Sequence, residues 1–229
     1  RAMGEAASRV SLSASGQSQQ IEGMVTISTT DVLGIYLLPE ILRDLRTKAP
    51  GIEIRIRCTN SLSDLRRREA DIAIRHVEPD HPDLYARKLY DASAKVYGAR
   101  SYLSRFGNGQ SMKDAGSHDF IGFDDNPQLV GHLRAMGLPV TEANIKLSSP
   151  SGAVAWEYVR RGLGLGIMAD EIAACCPELV PAFDDLTEVY FPVWLVTHRE
   201  LHTSRRIRIV FDHLVEYLRH KQPRQPHEK

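Results

Sequence analysis

A small hydroxyl or amide side chain recurs at one kind of place in this sequence. Thr29 and Thr30 follow a short apolar-alternating segment, Asn60 and Ser61 follow a second, and Ser148, Ser149 and Ser151 precede the segment that contains Trp156. At the start of a helix such a residue accepts from a backbone N–H and contributes about 1 kcal/mol as a cap. At the carboxyl end of a strand in an open α/β sheet it also stands where ligands bind, beside helix N–H groups that favour anions. Both readings stay open at each position. Three such termini converging between two lobes suit a small carboxylate or a similar polar metabolite.

Other chemistry is weaker. Gly162-Leu163-Gly164-Leu165-Gly166 has the wrong spacing for a dinucleotide fingerprint and sits after a helix and before a strand, so it reads as a helix stop and tight turn. In His198-Arg199-Glu200-Leu201-His202 the glutamate does not follow the first histidine directly, and the segment lies between a strand and a helix, so no metal site is expected. His76 and His81 flank a loop with Pro79 and Pro82 and read as solvated. Asp124-Asp125 is the one acidic pair near a cleft edge, but neighbours in an extended loop point apart, which disfavours an acid/base dyad. There is no G-x-S-x-G elbow and no P-loop, so no catalytic residue and no cofactor is expected.

The elements that must position these groups follow from the periodicity. Residues 24–28 read as a strand, and Leu37, Leu38, Ile41, Leu42 and Leu45 as one face of a helix ending before Pro50-Gly51. Ile52, Ile54, Ile56 and Cys58 alternate with Glu53, Arg55 and Arg57, a half-buried strand. A short helix capped by Asn60 or Ser61 and a strand over 71–75 complete β-α-β-α-β, which implies parallel strands with right-handed crossovers. A long strand spans 84–98. Then come a helix near Tyr102, a strand at 120–123, a helix over 129–136, a strand at 145–147, a helix over 151–161 and a strand at 165–168. A second long strand covers 189–197, and a last helix carries Ile207, Val210, Phe211, Leu214 and Leu218 on one face. Two long strands flanking a middle segment imply two lobes joined by two crossings: lobe I is residues 23–91 with 198–220, and lobe II is 92–197. Residues 1–22, rich in serine and glutamine, read as a helix end and linker, and 221–229 as a polar tail.

The 229 residues suffice for one large or two small domains with a buried core. At 42% hydrophobic and 25% charged the chain is neither disordered nor collagen-like. Lys plus Arg and Asp plus Glu both number 29, and this neutrality is not the basic excess of a nucleic-acid binder. Base exceeds acid in lobe I with its tail, and acid exceeds base in lobe II. Arg66-Arg67-Arg68 and Arg205-Arg206, the basic clusters, read as solvated faces. Three cysteines, two of them adjacent, support neither a disulfide framework nor a zinc ribbon. With no run of about 18 apolar residues and no secretory signal at the start, the expected setting is cytoplasmic, with no membrane partner.

Several segments together look like a known family. Gly23-Met24-Val25-Thr26-Ile27, Leu38-Pro39, Pro50-Gly51-Ile52-Glu53-Ile54 and Ala70-Asp71-Ile72-Ala73-Ile74-Arg75 resemble the first lobe of the effector-binding domain of LysR-type transcriptional regulators. Leu89-Tyr90 with Ala99-Arg100-Ser101-Tyr102-Leu103 resembles its hinge strand and following helix, and residues 148–168 resemble its penultimate helix, turn and strand. The resemblance spans roughly 21–219. It implies a type II periplasmic-binding-protein-like α/β fold: two lobes, each a mixed, mostly parallel sheet flanked by helices, with a small-molecule effector bound between them. It also implies a homodimer or tetramer, and DNA contact only through an N-terminal winged helix-turn-helix domain that lies outside this sequence. The chain is then expected to be a fragment of a longer regulator.

Carried over position by position, the resemblance implies effector contacts at Thr29 and Thr30, Asn60 and Ser61, Arg75 and His76, Phe123, Ser149, Ser151 and His198. Two departures fall on the second lobe: residues 124–139 are short and lack the tryptophan often found there, and Met168-Ala169-Asp170 replaces the commoner proline-containing turn. The expected function is therefore ligand sensing for transcription. The alternative is a free-standing solute-binding receptor of the same fold, disfavoured by the linker-like start. An enzyme ranks last.

Overall fold

The computed structural model describes residues 21–59, 70–106, 111–123 and 126–220. The chain divides into two compact units, one running to Asp91 and resuming at Pro192, the other covering Ala92–Phe191.

The first unit is built on β1 (Gly23–Thr29), which pairs in parallel with β2 (Ile52–Cys58) on one side and β3 (Ile72–Arg75) on the other. Val25, Ile27, Ser28 and Thr29 of β1 are all inaccessible, as a central parallel strand requires. In β2 the isoleucines turn inward while Glu53, Arg55 and Arg57 face outward, and the strand ends the sheet among the described residues. Between β1 and β2 lie α1 (Asp31–Tyr36) and α2 (Leu38–Lys48). Pro39 opens α2, Leu38, Ile41 and Leu45 are its buried face, and Pro50 follows its end. The short helix expected at Asn60–Ser61 lies outside the described residues, as do Arg66-Arg67-Arg68 and Asp124-Asp125.

The last helix, α7 (Arg205–His220), buries Ile207, Val210, Phe211, Leu214 and Leu218. It is held to α2 by His213 Nε2 at 3.1 Å from the Ile41 carbonyl and by the Tyr217 hydroxyl donating to Glu40 at 2.9 Å. Strand β9 (Val189–His198) pairs antiparallel with β3, and the first unit's sheet runs β2-β1-β3-β9-β4, with β4 spanning Leu84–Ala99. The return to the first unit falls inside β9, between Phe191 and Pro192, because Trp194–Thr197 is the stretch that pairs with β3. The boundary drawn from the sequence stood at 197/198.

At the amino edge of this sheet one residue ties three strands. The Asp71 carboxylate accepts the Thr26 N–H at 2.8 Å, its own N–H donates to the Thr26 carbonyl at 2.9 Å, and its carbonyl accepts the Thr197 hydroxyl at 2.7 Å. Burial raises the Asp71 carboxyl, opposed by the Thr26 bond and by the charge of Arg206.

In the second unit the far half of β4 pairs antiparallel with β7 (Gly166–Ala169) and β8 (Leu179–Pro181). Strands β5 (Phe120–Phe123) and β6 (Ile145–Ser149) form a parallel pair, followed respectively by α4 (Asn126–Ala135) and α5 (Gly152–Arg160). Short helices α3 (Arg100–Leu103) and α6 (Asp170–Ala173) follow β4 and β7. Trp156 of α5 is buried edge-on against Tyr97, with ring centroids 6.1 Å apart. Asp170 accepts hydroxyls from Ser93 and Tyr97, both at 2.6 Å, so two residues four apart on one face of β4 are bound to one carboxylate, and burial and that bond raise the Tyr97 phenol.

The glycine run ends α5. Gly162 has φ of +73°, Leu163 N–H reaches the Tyr158 carbonyl at 3.1 Å and Gly162 N–H the Val159 carbonyl at 2.9 Å, the paired bonds of a Schellman stop. Gly164 then passes the Asp119 backbone so closely that a Cβ would lie 2.8 Å from its carbonyl oxygen. Gly131, in the interior of α4, has open space around it. Gly164→Ala is therefore expected to destabilise the chain by roughly 1–3 kcal/mol because main chain must move, whereas Gly131→Ala stabilises it by about 0.4–1 kcal/mol. Urea unfolding of the two variants checks the opposite signs.

Candidate functional site

Parallel strands bring their carboxyl ends to one edge, and in the first unit that edge collects four of the groups named from the sequence. Thr29 and Thr30 end β1, and Arg75 and His76 end β3. Asn60 and Ser61 lie outside the described residues. The Thr30 hydroxyl accepts the Leu33 N–H at 3.3 Å and caps α1, so its capping role is real. Thr29 is different: its residue is inaccessible and its hydroxyl has no hydrogen-bond partner. A buried hydroxyl left in that condition costs about 1–3 kcal/mol, so it gains from a partner that a ligand supplies.

Arg75 is buried, and its guanidinium donates to the Ser28 carbonyl at 3.1 Å, the Ile74 carbonyl at 2.8 Å and the Ser28 hydroxyl at 2.7 Å. These contacts lock a cation onto Ser28 at this edge. His76 was read as solvated; it is half-buried, and its ring N–H donates to the Pro192 carbonyl. Burial holds the His76 ring below the ordinary imidazole range, the Pro192 bond opposes this, and the charge of Arg75 adds to it.

The register separates His198 from this group. Because β9 is antiparallel to β3, with Arg75 opposite Trp194 and Ile72 opposite Thr197, the carboxyl end of β9 lies at the amino edge of the sheet. His198 is therefore not brought together with Thr29, Arg75 and His76. Directly across from Arg75 stands Trp194, with a buried indole N–H that has no partner. Nothing in the local pattern of β9 identifies it, since period-2 alternation gives a face and not an end.

The second unit has its own carboxyl edge. Phe123 of β5 and Ser149 of β6 are register partners at the ends of a parallel pair. Phe123 is exposed, the Ser149 hydroxyl accepts the Ser151 N–H at 3.1 Å, and the Ser151 hydroxyl caps α5 by accepting from Val154 at 3.2 Å. Asn126, at the start of α4, was missed: its Oδ1 is buried without a partner, and it sits where a Cβ on Gly122 would collide with it. Of the two histidines in the His198–His202 segment, His202 is stacked on Tyr85 at 4.3 Å and meets Phe211 edge-on. Among the described residues no group of three His, Cys, Asp or Glu could hold a metal ion, and no helix is long and apolar enough to cross a membrane.

Comparison with known proteins places these observations. A family model described as the LysR substrate binding domain matches residues 18–219. The HTH-type transcriptional regulator CrgA of Neisseria meningitidis serogroup C is 25% identical over 205 residues, which is 86% of this chain and 68% of that protein. The probable HTH-type transcriptional regulator LtrA of Klebsiella pneumoniae is 22% identical over 219 residues, 92% of this chain and 71% of that protein. Among solved structures, the CrgA regulatory domain from Neisseria meningitidis matches with a TM-score of 0.76 at 22% identity, covering 86% of this chain and 99% of that one. The full-length Vibrio cholerae virulence activator AphB matches at 0.71 and 17% identity, covering 94% and 75%.

His76 yields a pH dependence. Its folded pKa lies below the unfolded value of 6.5, so on acidification the unfolded chain takes the proton first. Its contribution to stability is complete above pH 6.5 and is lost as pH falls through the folded value. Denaturant unfolding at pH 7.5, 6.5 and 5.5 should show stability declining over that range, with a shallower decline in His76→Phe.

Proposed function

The chain belongs to the LysR substrate-binding-domain family and is the effector-binding domain of a LysR-type transcriptional regulator, and from that premise we propose that its effector is a small carboxylate or similar polar metabolite met by the carboxyl-edge residues of each unit. The fold is accordingly the type II periplasmic-binding-protein-like α/β fold expected from the sequence. On this reading Thr29, Thr30, Arg75 and His76, together with Asn60 and Ser61, form the contacting set in the first unit, and Phe123, Ser149 and Ser151 that in the second. Trp194 replaces His198 in that set. The observation that carries the proposal is the buried, unpartnered Thr29 hydroxyl at the same carboxyl edge of the sheet as the fixed guanidinium of Arg75.

A carboxylate suits this edge because its oxygens accept from a hydroxyl, from the Trp194 N–H and from backbone N–H groups, and because the nearby guanidinium favours negative charge. The effector acts by binding one arrangement of the domain more tightly than another, which is the only way a ligand shifts a conformational equilibrium. In the whole regulator we assign DNA contact to a winged helix-turn-helix domain and assembly to a homodimer or tetramer, within the cytoplasm, and we assign the chain no enzymatic activity. That last assignment rests on the family, whose similar proteins are transcriptional regulators. The two lobes correspond in this proposal to the two compact units, with residues 1–22 as linker and 221–229 as a polar tail.

A thermal-shift screen of small carboxylates tests the reading. A true effector at a hundredfold excess over Kd stabilises the domain by about 2.7 kcal/mol, whereas a screen in which no carboxylate raises Tm overturns the carboxylate assignment. Thr29→Val is the discriminating variant: it removes a hydroxyl that has no partner, so unliganded stability should hold or rise, while ligand affinity falls about tenfold. An identical ligand-induced shift in Thr29→Val removes Thr29 from the site.

A further inference from the structure

We propose that His118 in the second unit is a proton-operated latch: neutral, it completes a closed cluster of rings with Tyr102, Phe106 and Phe183; protonated, it drives Phe106 out and opens the turn at residues 104–106. This stands apart from the effector-binding reading and uses none of its residues.

The geometry is a ring sealed among rings. His118 is 1% exposed, and its centroid lies 4.2 Å from that of Phe106, 5.9 Å from Tyr102 and 5.8 Å from Phe183, which it meets edge-on. Its Nδ1 is inaccessible and has no hydrogen-bond partner. A neutral imidazole tolerates this, because one nitrogen can stay unprotonated, but an imidazolium has two N–H donors and a charge, neither of which the rings can satisfy.

The charged groups around it are few and outward. From the 3-10 helix over Met112–Ser117, Asp114 acts on it, and from the residue before β5, Asp119 does. From the turn after α3, Arg105 lies over the Tyr102 ring at 5.5 Å and donates to the Gly162 carbonyl at 3.4 Å. The Tyr102 hydroxyl accepts the Asp119 N–H at 2.9 Å. Beyond Phe183, Asp184 is exposed, and Asp185 is held by the Ser111 hydroxyl and the Met112 N–H, both at 2.9 Å. Burial outweighs the two acids and holds the His118 ring below the ordinary imidazole range.

The same contacts decide what yields on protonation. The His118 backbone is pinned, its N–H donating to the Ala115 carbonyl at 3.2 Å and its carbonyl accepting the Asn144 amide at 3.0 Å. Tyr102 and Phe183 are 4% and 3% exposed and belong to the core, whereas Phe106 is already 45% exposed. Its turn is held by backbone bonds from residues 104, 105 and 106 to Arg100, Tyr102 and Leu103, by the Ser104 hydroxyl on the Ser101 carbonyl and by Arg105 on the Gly162 carbonyl, none of which engages the Phe106 ring. Phe106 is therefore the ring that leaves.

The test is a ring titration of His118 by NMR on the full chain, with amide hydrogen exchange of peptides covering 100–106 and 112–119 at pH 7.5 and 5.5, corrected for intrinsic rates. We expect a midpoint below 6.5 and exchange in those peptides that rises about tenfold per pH unit between the folded and unfolded midpoints. In His118→Phe that rise should vanish. A midpoint at or above 6.5, or an undiminished acid-driven rise in His118→Phe, overturns the proposal. Should His118→Phe fail to fold, Phe106→Ala decides: the latch requires the His118 midpoint to move back towards 6.5, and a midpoint unmoved from wild type overturns it.

Discussion

The parallel pairing of β1 on both its edges is the constraint from which the first unit's chemistry follows. Seven residues, almost all buried from Val25 onward, must satisfy every backbone group within the sheet, and they do so by aligning with β2 and β3 in the same direction. That alignment puts Thr29, Cys58 and Arg75 at one edge and Asp71 at the other. The chemical asymmetry of the sheet, a cation and an unpartnered hydroxyl at one end and a buried carboxylate at the other, is a product of strand direction.

Arg75 illustrates how such an edge holds a charge. A buried cation is usually matched to an acid, because removing it from water is costly. Among the acceptors of Arg75 are two main-chain carbonyls and one serine hydroxyl, which fix the guanidinium in place. Ser28 contributes with both its backbone and its side chain, which explains a polar residue at an inaccessible position of a core strand.

Much of this was legible in the sequence, because period-2 and period-3.6 patterns report which side of an element faces inward. The strands at 23–29, 52–58 and 120–123, the buried stripe of α7 and the stop after α5 all follow from local spacing. What local spacing does not carry is the neighbour and direction of a strand paired across more than a hundred residues. The antiparallel register of β9 on β3 sets Trp194, and not His198, opposite Arg75, and no residue of β9 announces it. Elements of three to six residues, such as α1, α6 and β8, are shorter than the window in which periodicity becomes visible. His118 escaped for a related reason: it and its partners come from three separate segments, and only folding assembles the cluster.

The outward face of β2 has a consequence for how the protein behaves in a crowded solution. An edge strand offers a row of unused backbone groups to any other extended chain, and a second copy of itself is the most abundant candidate. Stacked in register, two copies would place Glu53 on Glu53, Arg55 on Arg55 and Arg57 on Arg57 at about 4.8 Å, and each like pair repels. The isoleucines that hold β2 on the sheet are thus interleaved with charges that oppose parallel, in-register stacking on the strand at the end of the described sheet.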